Sequence, residues 1–190
     1  MASDEVSRER DPFLEAVGRV TLAGARLDSS LRNLLGSLAF EPTLIAYANA
    51  EGTDRLIDLC KLALQVREVP PEDEAAVKRC LARAHDLKNK RNHVVHSIFL
   101  PEEEGEGFEA LKPLRKSIGM STTPITIASM EETAAEIEVL LSDIFTAGWN
   151  ARSRQMGAPR IPEPTPGEVA GKVQQGSIRP STRSGRSAPV

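Results

Sequence analysis

Apolar residues recur at spacings of three and four along most of this chain, which is the period of an α-helix with one buried face. The first such stripe runs from Phe13 to Leu38 and predicts one long helix. Gly24 lies within the stripe, and we expect it to mark a close packing contact with a neighbouring backbone rather than a break. After Pro42, a short helix is predicted over Thr43 to Ala50.

Three more long helices are predicted further along. One begins where Thr53 or Asp54 can cap it and ends before the proline pair at 70 and 71. The next begins at Pro71, because proline is tolerated in the first turn, and is expected to reach Ile98. The segment SMEE at 129–132 is typical of a capping box and starts a helix that ends near residue 156.

These segments predict a mainly α protein, an antiparallel four-helix bundle over residues 13–156. A short loop or small hairpin is expected before the last helix, with the segment PITIA at 124–128 as the only plausible strand. Residues 1–12 are expected to form a flexible N-terminus. Residues 157–190 hold six Pro and five Gly and few large apolar side chains, so a disordered basic tail is predicted.

The charge distribution narrows the candidate partners. The net charge is −3, with +3 in residues 157–190 and −6 in the first 156, so any nucleic-acid-binding surface must be local. Six Lys or Arg and one acid, Asp86, lie between residues 78 and 91. That run is either a solvated helix face or a track for RNA phosphates, with Lys88 and Lys90 as RNA-binding candidates.

Two further patterns indicate the cellular compartment of the protein. Cys60 and Cys80 lack CxxC spacing and lie in helical apolar patterns, so buried reduced thiols are expected. The chain shows neither an apolar stretch of membrane-spanning length nor the pattern of a signal peptide, and a cytoplasmic location without a membrane partner is therefore predicted.

Arg91 interrupts the buried stripe of the third long helix. A guanidinium stays protonated, and burying it unpaired is costly, so we expect partners, water or an anion such as phosphate beside it. Asn92 and His96 are four residues apart and share one helix face. Arg91 and His96 diverge by roughly 140° in an ideal helix, so the reach of the arginine, a distorted helix end or a second subunit must bring them together.

The order Arg91, Asn92, three residues, His96, late in the third long helix of four, resembles the HEPN superfamily of helical domains. The resemblance covers about Phe13 to Met156. It implies a homodimer with the Arg and His at the interface and, in active members, RNA cleavage without a metal. On this basis we expect Arg91, Asn92 and His96 to be catalytic, His93 to be auxiliary, RNA to be the substrate and an antitoxin protein to be a further partner. No metal or cofactor is expected.

Other interpretations stay open from the sequence alone. His96 is also suited to interact with the carbonyls at a helix end, and His93 with His96 is suited to hold a metal, although no Cys or carboxylate has matching spacing nearby. Arg79 and His85 satisfy the loose Arg-to-His spacing as well, which we interpret as coincidence on an exposed face. A non-catalytic HEPN-like module that binds RNA, nucleotide or protein is the main alternative function, and a purely structural bundle is a third.

Overall fold

The computed structural model describes residues 11–102, 107–114 and 118–162. In chain order the elements are α1 (Pro12–Ala39), α2 (Pro42–Ala48), α3 (Thr53–Val66), α4 (Pro71–Val95), β1 (Ile98–Pro101), β2 (Phe108–Pro113), β3 (Met120–Ile125) and α5 (Ile127–Met156). The protein is mainly α, as predicted, with a small three-stranded sheet. None of the helices in the described ranges is long and apolar enough to cross a membrane.

Helix α1 is central to the packing. Asp11 caps it, accepting hydrogen bonds from the backbone N–H groups of Phe13 and Leu14, so residues 11 and 12 belong to the helix start rather than to the predicted flexible segment. The helix packs against α5, α3 and α4. Gly148 of α5 permits a close approach, because a Cβ there would lie 3.1 Å from Cδ1 of Leu34. The core therefore lies between α1 and the other long helices.

Two helix ends differ from the prediction. Helix α4 begins at Pro71 as expected but ends at Val95, and Ile98 instead begins β1. Antiparallel pairing of Ile98 with Leu111 in β2 competes successfully with continuation of the helix. The Ser97 hydroxyl also donates to the carbonyl of His93, which helps to close the last turn of α4.

Helix α5 begins earlier than the SMEE pattern predicts. Its capping box joins Thr126 to Ser129, each side chain accepting the other's backbone N–H at 3.1 Å. Ser129 therefore lies at the third helical position instead of at the cap. The predicted strand PITIA is divided, with residues 124 and 125 in β3 and Ile127 in the helix.

The sheet has the order β1-β2-β3 with antiparallel pairing throughout. On its inner face, the rings of Phe99 and Phe108 lie 5.1 Å and 4.3 Å from the ring of Phe13 at the start of α1. Because β1 follows α4 after two residues, this contact also fixes the chain just beyond the end of α4.

The first residues of the predicted tail pack on the helices. The Asn150 side chain donates to the carbonyl of Ile161 at 2.9 Å and accepts from its N–H at 2.8 Å. The Trp149 indole donates to the carbonyl of Pro159. Residues 157–162 are thus ordered, which corrects the expectation of disorder from 157 onward, while residues 163–190 lie outside the described ranges. The order comes from backbone hydrogen bonding rather than from an apolar face.

Both cysteines are buried reduced thiols, as predicted. Burial raises the pKa of the Cys60 thiol to about 12, so this thiol stays protonated at neutral pH. Its Sγ lies 3.6 Å from the carbonyl oxygen of Leu31, as a weak donor. Cys60 is therefore a structural residue of the α1–α3 contact.

Candidate functional site

A solvent-open cleft of about 390 Å³ lies where α1, the beginning of α3 and the second half of α4 meet. Helix α4 contributes Lys88, Arg91 and Asn92, α1 contributes Asp28, and the first turn of α3 contributes residues 52–55. Three cations and two carboxylates line the cleft, so its formal charge is +1 in a chain of net charge −3. The cleft is thus a local departure from the acidic character of the body.

Arg91, which interrupts the buried stripe of α4, has polar partners on two other helices. Its side chain is only 17% exposed. Its Nη2 donates to Oγ1 of Thr53 at 3.0 Å and lies 3.8 Å from Oδ2 of Asp28. The Thr53 hydroxyl in turn donates to Oδ1 of Asp28 at 2.5 Å. The expectation of partners around a half-buried guanidinium is therefore met by Asp28 and Thr53.

The stem of Arg91 explains the glycine in the α1 stripe. A Cβ added at Gly24 would lie 3.0 Å from Nε and 3.1 Å from Cγ and Cδ of Arg91. The predicted close contact at Gly24 exists, but the neighbour is this side chain rather than a backbone. The Nε atom itself is buried and has no hydrogen-bond partner. A guanidinium has five N–H donors, and within the described ranges only the one to Thr53 is used.

The two lysines proposed to contact RNA have different environments. Lys88 is 9% exposed, and its Nζ lies 2.7 Å from Oδ1 of Asp54 at the rim of the cleft. Lys90 pairs at 2.6 Å with Glu136 of α5 and does not line the cleft. His85 also approaches Asp54, at 3.7 Å. Of the two predicted RNA-binding lysines, only Lys88 therefore lines the cleft beside Arg91.

The basic run on α4 is mostly paired with acids. Besides the pairs already described, Lys78 contacts Glu74, and Arg83 contacts Asp143. Exposed pairs of this kind contribute little to stability but leave few cations unneutralised. The arrangement favours a paired helix face over a continuous phosphate track along α4.

Asn92 and His96 keep the relation that their spacing predicts. The His96 N–H donates to the carbonyl of Asn92 at 3.2 Å, so α-helical hydrogen bonding continues through His96, which is the C-cap residue. Lys88, Asn92 and His96 therefore occupy successive positions on one side of α4. His96 is exposed, but it is not among the residues that line the cleft. Within one chain, Arg91 and Asn92 are brought together and His96 lies beyond them.

His93 lies in a different environment. Its Nε2 is buried without a hydrogen-bond partner. Burial, and to a smaller extent the positive charge of Lys112 on β2, lowers the pKa of His93, which favours a neutral ring at pH 7. It does not line the cleft. In the described part of the chain, no three His, Cys, Asp or Glu residues lie close enough to form a metal site, so the His93 and His96 metal interpretation gains no ligand set.

Sequence reasoning missed Asp28 as a site residue and assigned Thr53 another role. Thr53 or Asp54 was expected to cap α3, but Gly52 is the N-cap residue and makes no side-chain cap. The Thr53 hydroxyl instead bonds Arg91 and Asp28. One signal was present: Asp28 follows Gly24 by four residues and so shares its helix face. A glycine and an acid on one face are suited to receive a long cation.

Comparison with known proteins identifies no relative. No family model matches the chain, and neither a curated protein nor a solved structure matches it. The HEPN resemblance therefore rests on the residues Arg91, Asn92 and His96 and on their position near the end of a long helix.

Proposed function

We propose that this protein is a metal-independent endoribonuclease of HEPN type that acts as a homodimer in the cytoplasm. The observation that carries the proposal is the placement of three groups at one end of α4. The Arg91 guanidinium borders an open cleft, Asn92 lines the same cleft, and His96 follows Asn92 by one helical turn. A phosphate-binding group and a proton-transfer group thus lie within five residues of each other at the end of one helix. The long helices α1, α3, α4 and α5 would correspond to a HEPN four-helix bundle.

The cleft is suited to a phosphate. The first N–H groups of a helix have no intrahelical partner and favour anions. The first turn of α3 forms one wall, and its N-cap residue, Gly52, has no side chain to cap it. Arg91 stands opposite with unused donors, and guanidinium bonds to phosphate are strong and directional.

RNA supplies its own nucleophile, because the 2′-hydroxyl is adjacent to the scissile phosphate. The 2′-oxygen forms a bond to phosphorus while the bond from phosphorus to the 5′-oxygen breaks. One proton leaves the 2′-hydroxyl and one reaches the 5′-oxygen, and His96 assists one of these transfers. Arg91 stabilises charge that develops on the phosphate oxygens, and Asn92 orients the phosphate or the imidazole. The products are a 2′,3′-cyclic phosphate and a 5′-hydroxyl.

In the proposed homodimer, the second subunit brings its own His96 to the cleft, because His96 of the same chain does not line it. A two-fold axis near the carboxyl end of α4 would gather two copies each of Arg91 and His96. Subunit mixing tests this directly. Arg91→Ala and His96→Ala proteins, each inactive alone, should regain part of the activity when mixed, because the mixed dimer contains one intact site. No recovery, together with a monomer at micromolar concentration by light scattering, would contradict the composite site.

The decisive experiment for the reaction uses purified protein, labelled RNA and a chelator. We expect cleavage under these conditions, with the cyclic phosphate and 5′-hydroxyl identified by end-specific enzymes. A requirement for a divalent metal, a 5′-phosphate product, or undiminished cleavage by His96→Ala would overturn the mechanism. An antitoxin protein that covers this face is expected to inhibit the cleavage.

One observation favours a second candidate function. Because His96 does not line the cleft that holds Arg91 and Asn92, the cleft alone is suited to bind an RNA phosphate without cutting it. A protein of this kind would bind labelled RNA and lose affinity in Arg91→Ala, yet leave every RNA intact. The chelator experiment therefore separates the two functions.

A further inference from the structure

We infer that Asp28 and Thr53 are positioning residues that aim the guanidinium of Arg91 into the cleft, and that Gly24 provides the space for its stem. This inference rests on the proposed function for its effect on cleavage. The positioning itself is a property of the protein without RNA and is tested separately below.

The chemistry of the three groups fixes the direction of the hydrogen bonds. An ionised carboxylate only accepts and a guanidinium only donates, whereas a hydroxyl has one proton and two lone pairs. The Thr53 hydroxyl therefore gives its proton to Asp28 and offers a lone pair to Nη2 of Arg91. Thr53 is 4% exposed, so water hardly competes for either bond.

The fold brings the components from three helices. Gly24 and Asp28 are one turn apart on α1, so one lies against the arginine stem and the other beside its charged end. Thr53 is the first residue of α3, and its hydroxyl makes no cap bond. Arg91 reaches both from α4. The guanidinium is thus held at one edge by α1 and α3, while its Nη1 group makes no hydrogen bond within the described ranges.

A preorganised donor stabilises a transition state without reorganising during the reaction. Thr53→Val keeps the shape of the side chain but removes the hydroxyl. We expect kcat for RNA cleavage to fall about tenfold, with a much smaller change in KM, because the cation remains but its orientation is lost. Thr53→Ser keeps the hydroxyl and should retain the wild-type kcat.

Gly24→Ala tests the same arrangement by steric displacement. The new Cβ would lie 3.0 Å from Nε, so the Arg91 side chain must shift. Alanine has a higher helix propensity than glycine, so α1 should not lose stability through its backbone. A lower kcat without a lower midpoint of unfolding is a result that a merely structural role of position 24 would not give.

Thr133→Val is the matched control. Thr133 is buried at 7% exposure on α5, and its hydroxyl donates to the carbonyl of Ser129 within the same helix. The Thr133→Val protein therefore loses a buried hydroxyl that makes no hydrogen bond to Arg91, Thr53 or Asp28. We expect its kcat to stay at the wild-type value. An equal loss of kcat in Thr133→Val and Thr53→Val would attribute the effect to general destabilisation and overturn the inference.

A readout without RNA keeps the inference separate from the proposed function. The Nε–H of Arg91 is observed by ¹⁵N NMR of the full chain and assigned by its loss in Arg91→Lys. Its chemical shift and hydrogen exchange should change in Thr53→Val and Gly24→Ala, but not in Thr53→Ser or Thr133→Val. An unchanged signal in Thr53→Val would overturn the positioning role. Absence of cleavage by the wild type, with the expected NMR changes, would overturn the ribonuclease function alone.

Discussion

Each end of α4 holds an ion pair in which one side chain is largely shielded from solvent. The two pairs differ in how closely the partner approaches. At the amino end, Asp73 is 2% exposed and receives Arg160 at 2.6 Å, with Glu72 as a second acceptor at 3.0 Å. At the carboxyl end, Arg91 is the partly buried member, and its nearest carboxylate oxygen, on Asp28, is 3.8 Å away. One end is closed by a close, hydrogen-bonded pair, and the other keeps donors beside an open cleft.

The difference follows from what the chain places over each end. Residues 158–162 cross the amino end and are held there by Asn150, both of whose amide atoms bind the backbone of Ile161. At the carboxyl end, the described ranges place no such segment over the cleft, and His96 is exposed just beyond it. Paired polar groups stabilise the folded chain, whereas donors without a hydrogen-bond partner are suited to bind a ligand. The amino end therefore stabilises the fold, whereas the carboxyl end keeps unused donors that suit the proposed function.

The largest expected effect is on the rate of RNA cleavage, which should depend on the carboxyl end of α4 and not on its amino end. Arg91→Ala and His96→Ala should each slow RNA cleavage by roughly 10² or more, because each removes a group that acts in the transition state of the proposed mechanism. Arg160→Ala should leave cleavage unchanged. Rates measured under single-turnover conditions check this. His85→Ala is the control within α4, since His85 is exposed and its pattern with Arg79 is interpreted as coincidental.

Equal losses in Arg160→Ala and Arg91→Ala would break the division between the two ends. Unfolding of Arg91→Ala at the temperature of the assay would also remove the contrast, and the unfolding midpoint of each variant is therefore measured beside its rate.

The carboxyl end was the more predictable of the two from sequence. Arg91 was recognised as a cation in a buried stripe, and Asn92 and His96 as two polar residues four apart. Both signals are local and lie on one helix. The cleft around them needs Asp28 and Thr53, which are 63 and 38 residues from Arg91. No local period records which distant polar group will meet a buried cation, so only folding brings these partners to the site.

The order at the amino end was missed, and the sheet was predicted only in part, as a short loop or small hairpin, for related reasons. Disorder from 157 was predicted from the scarcity of apolar side chains, but Asn150 orders residues 158–162 through backbone groups, which every sequence possesses. The strands are only four to six residues long, and their inner face depends on Phe13, far away in the chain. Short strands with such distant partners carry little periodic signal.

A pair of truncations sharpens the boundary of the folded part. A chain that ends after Pro162 should keep the unfolding free energy of the full chain, because residues 163–190 have the composition of a segment without a core. A chain that ends after Met156 should lose about 2 to 3 kcal/mol, since the buried amide of Asn150 loses its hydrogen bonds to Ile161 and the carboxylate of Asp73 loses its hydrogen bond from Arg160. Urea unfolding of both proteins measures this. Equal stability of the two would return the boundary to residue 157.

Arg160→Ala isolates the charge contribution at the amino end. Removing the guanidinium leaves Asp73, which is almost fully buried, without its contact at 2.6 Å. We expect a loss of about 1 to 2 kcal/mol in urea unfolding. Glu72→Gln is the matched control, because Glu72 is 61% exposed and exposed pairs contribute little. A Glu72→Gln loss as large as that of Arg160→Ala would show that burial of Asp73 is not the cause.

The smallest effect concerns His93, which lies at the carboxyl end of α4 but outside the cleft. Burial and the charge of Lys112 lower the pKa of His93 from the usual 6.5, so the unfolded chain binds its proton more readily than the folded chain. Stability from this group is therefore fully present above about pH 6.5 and decreases as the pH falls towards the folded pKa. Unfolding free energies measured between pH 5 and 8 should decline less steeply on the acid side in His93→Gln than in the wild type. Because the ring is only partly buried, the difference should be smaller than the effect of Arg160→Ala. Identical pH profiles, or an NMR titration of His93 at or above the usual value, would contradict the assignment.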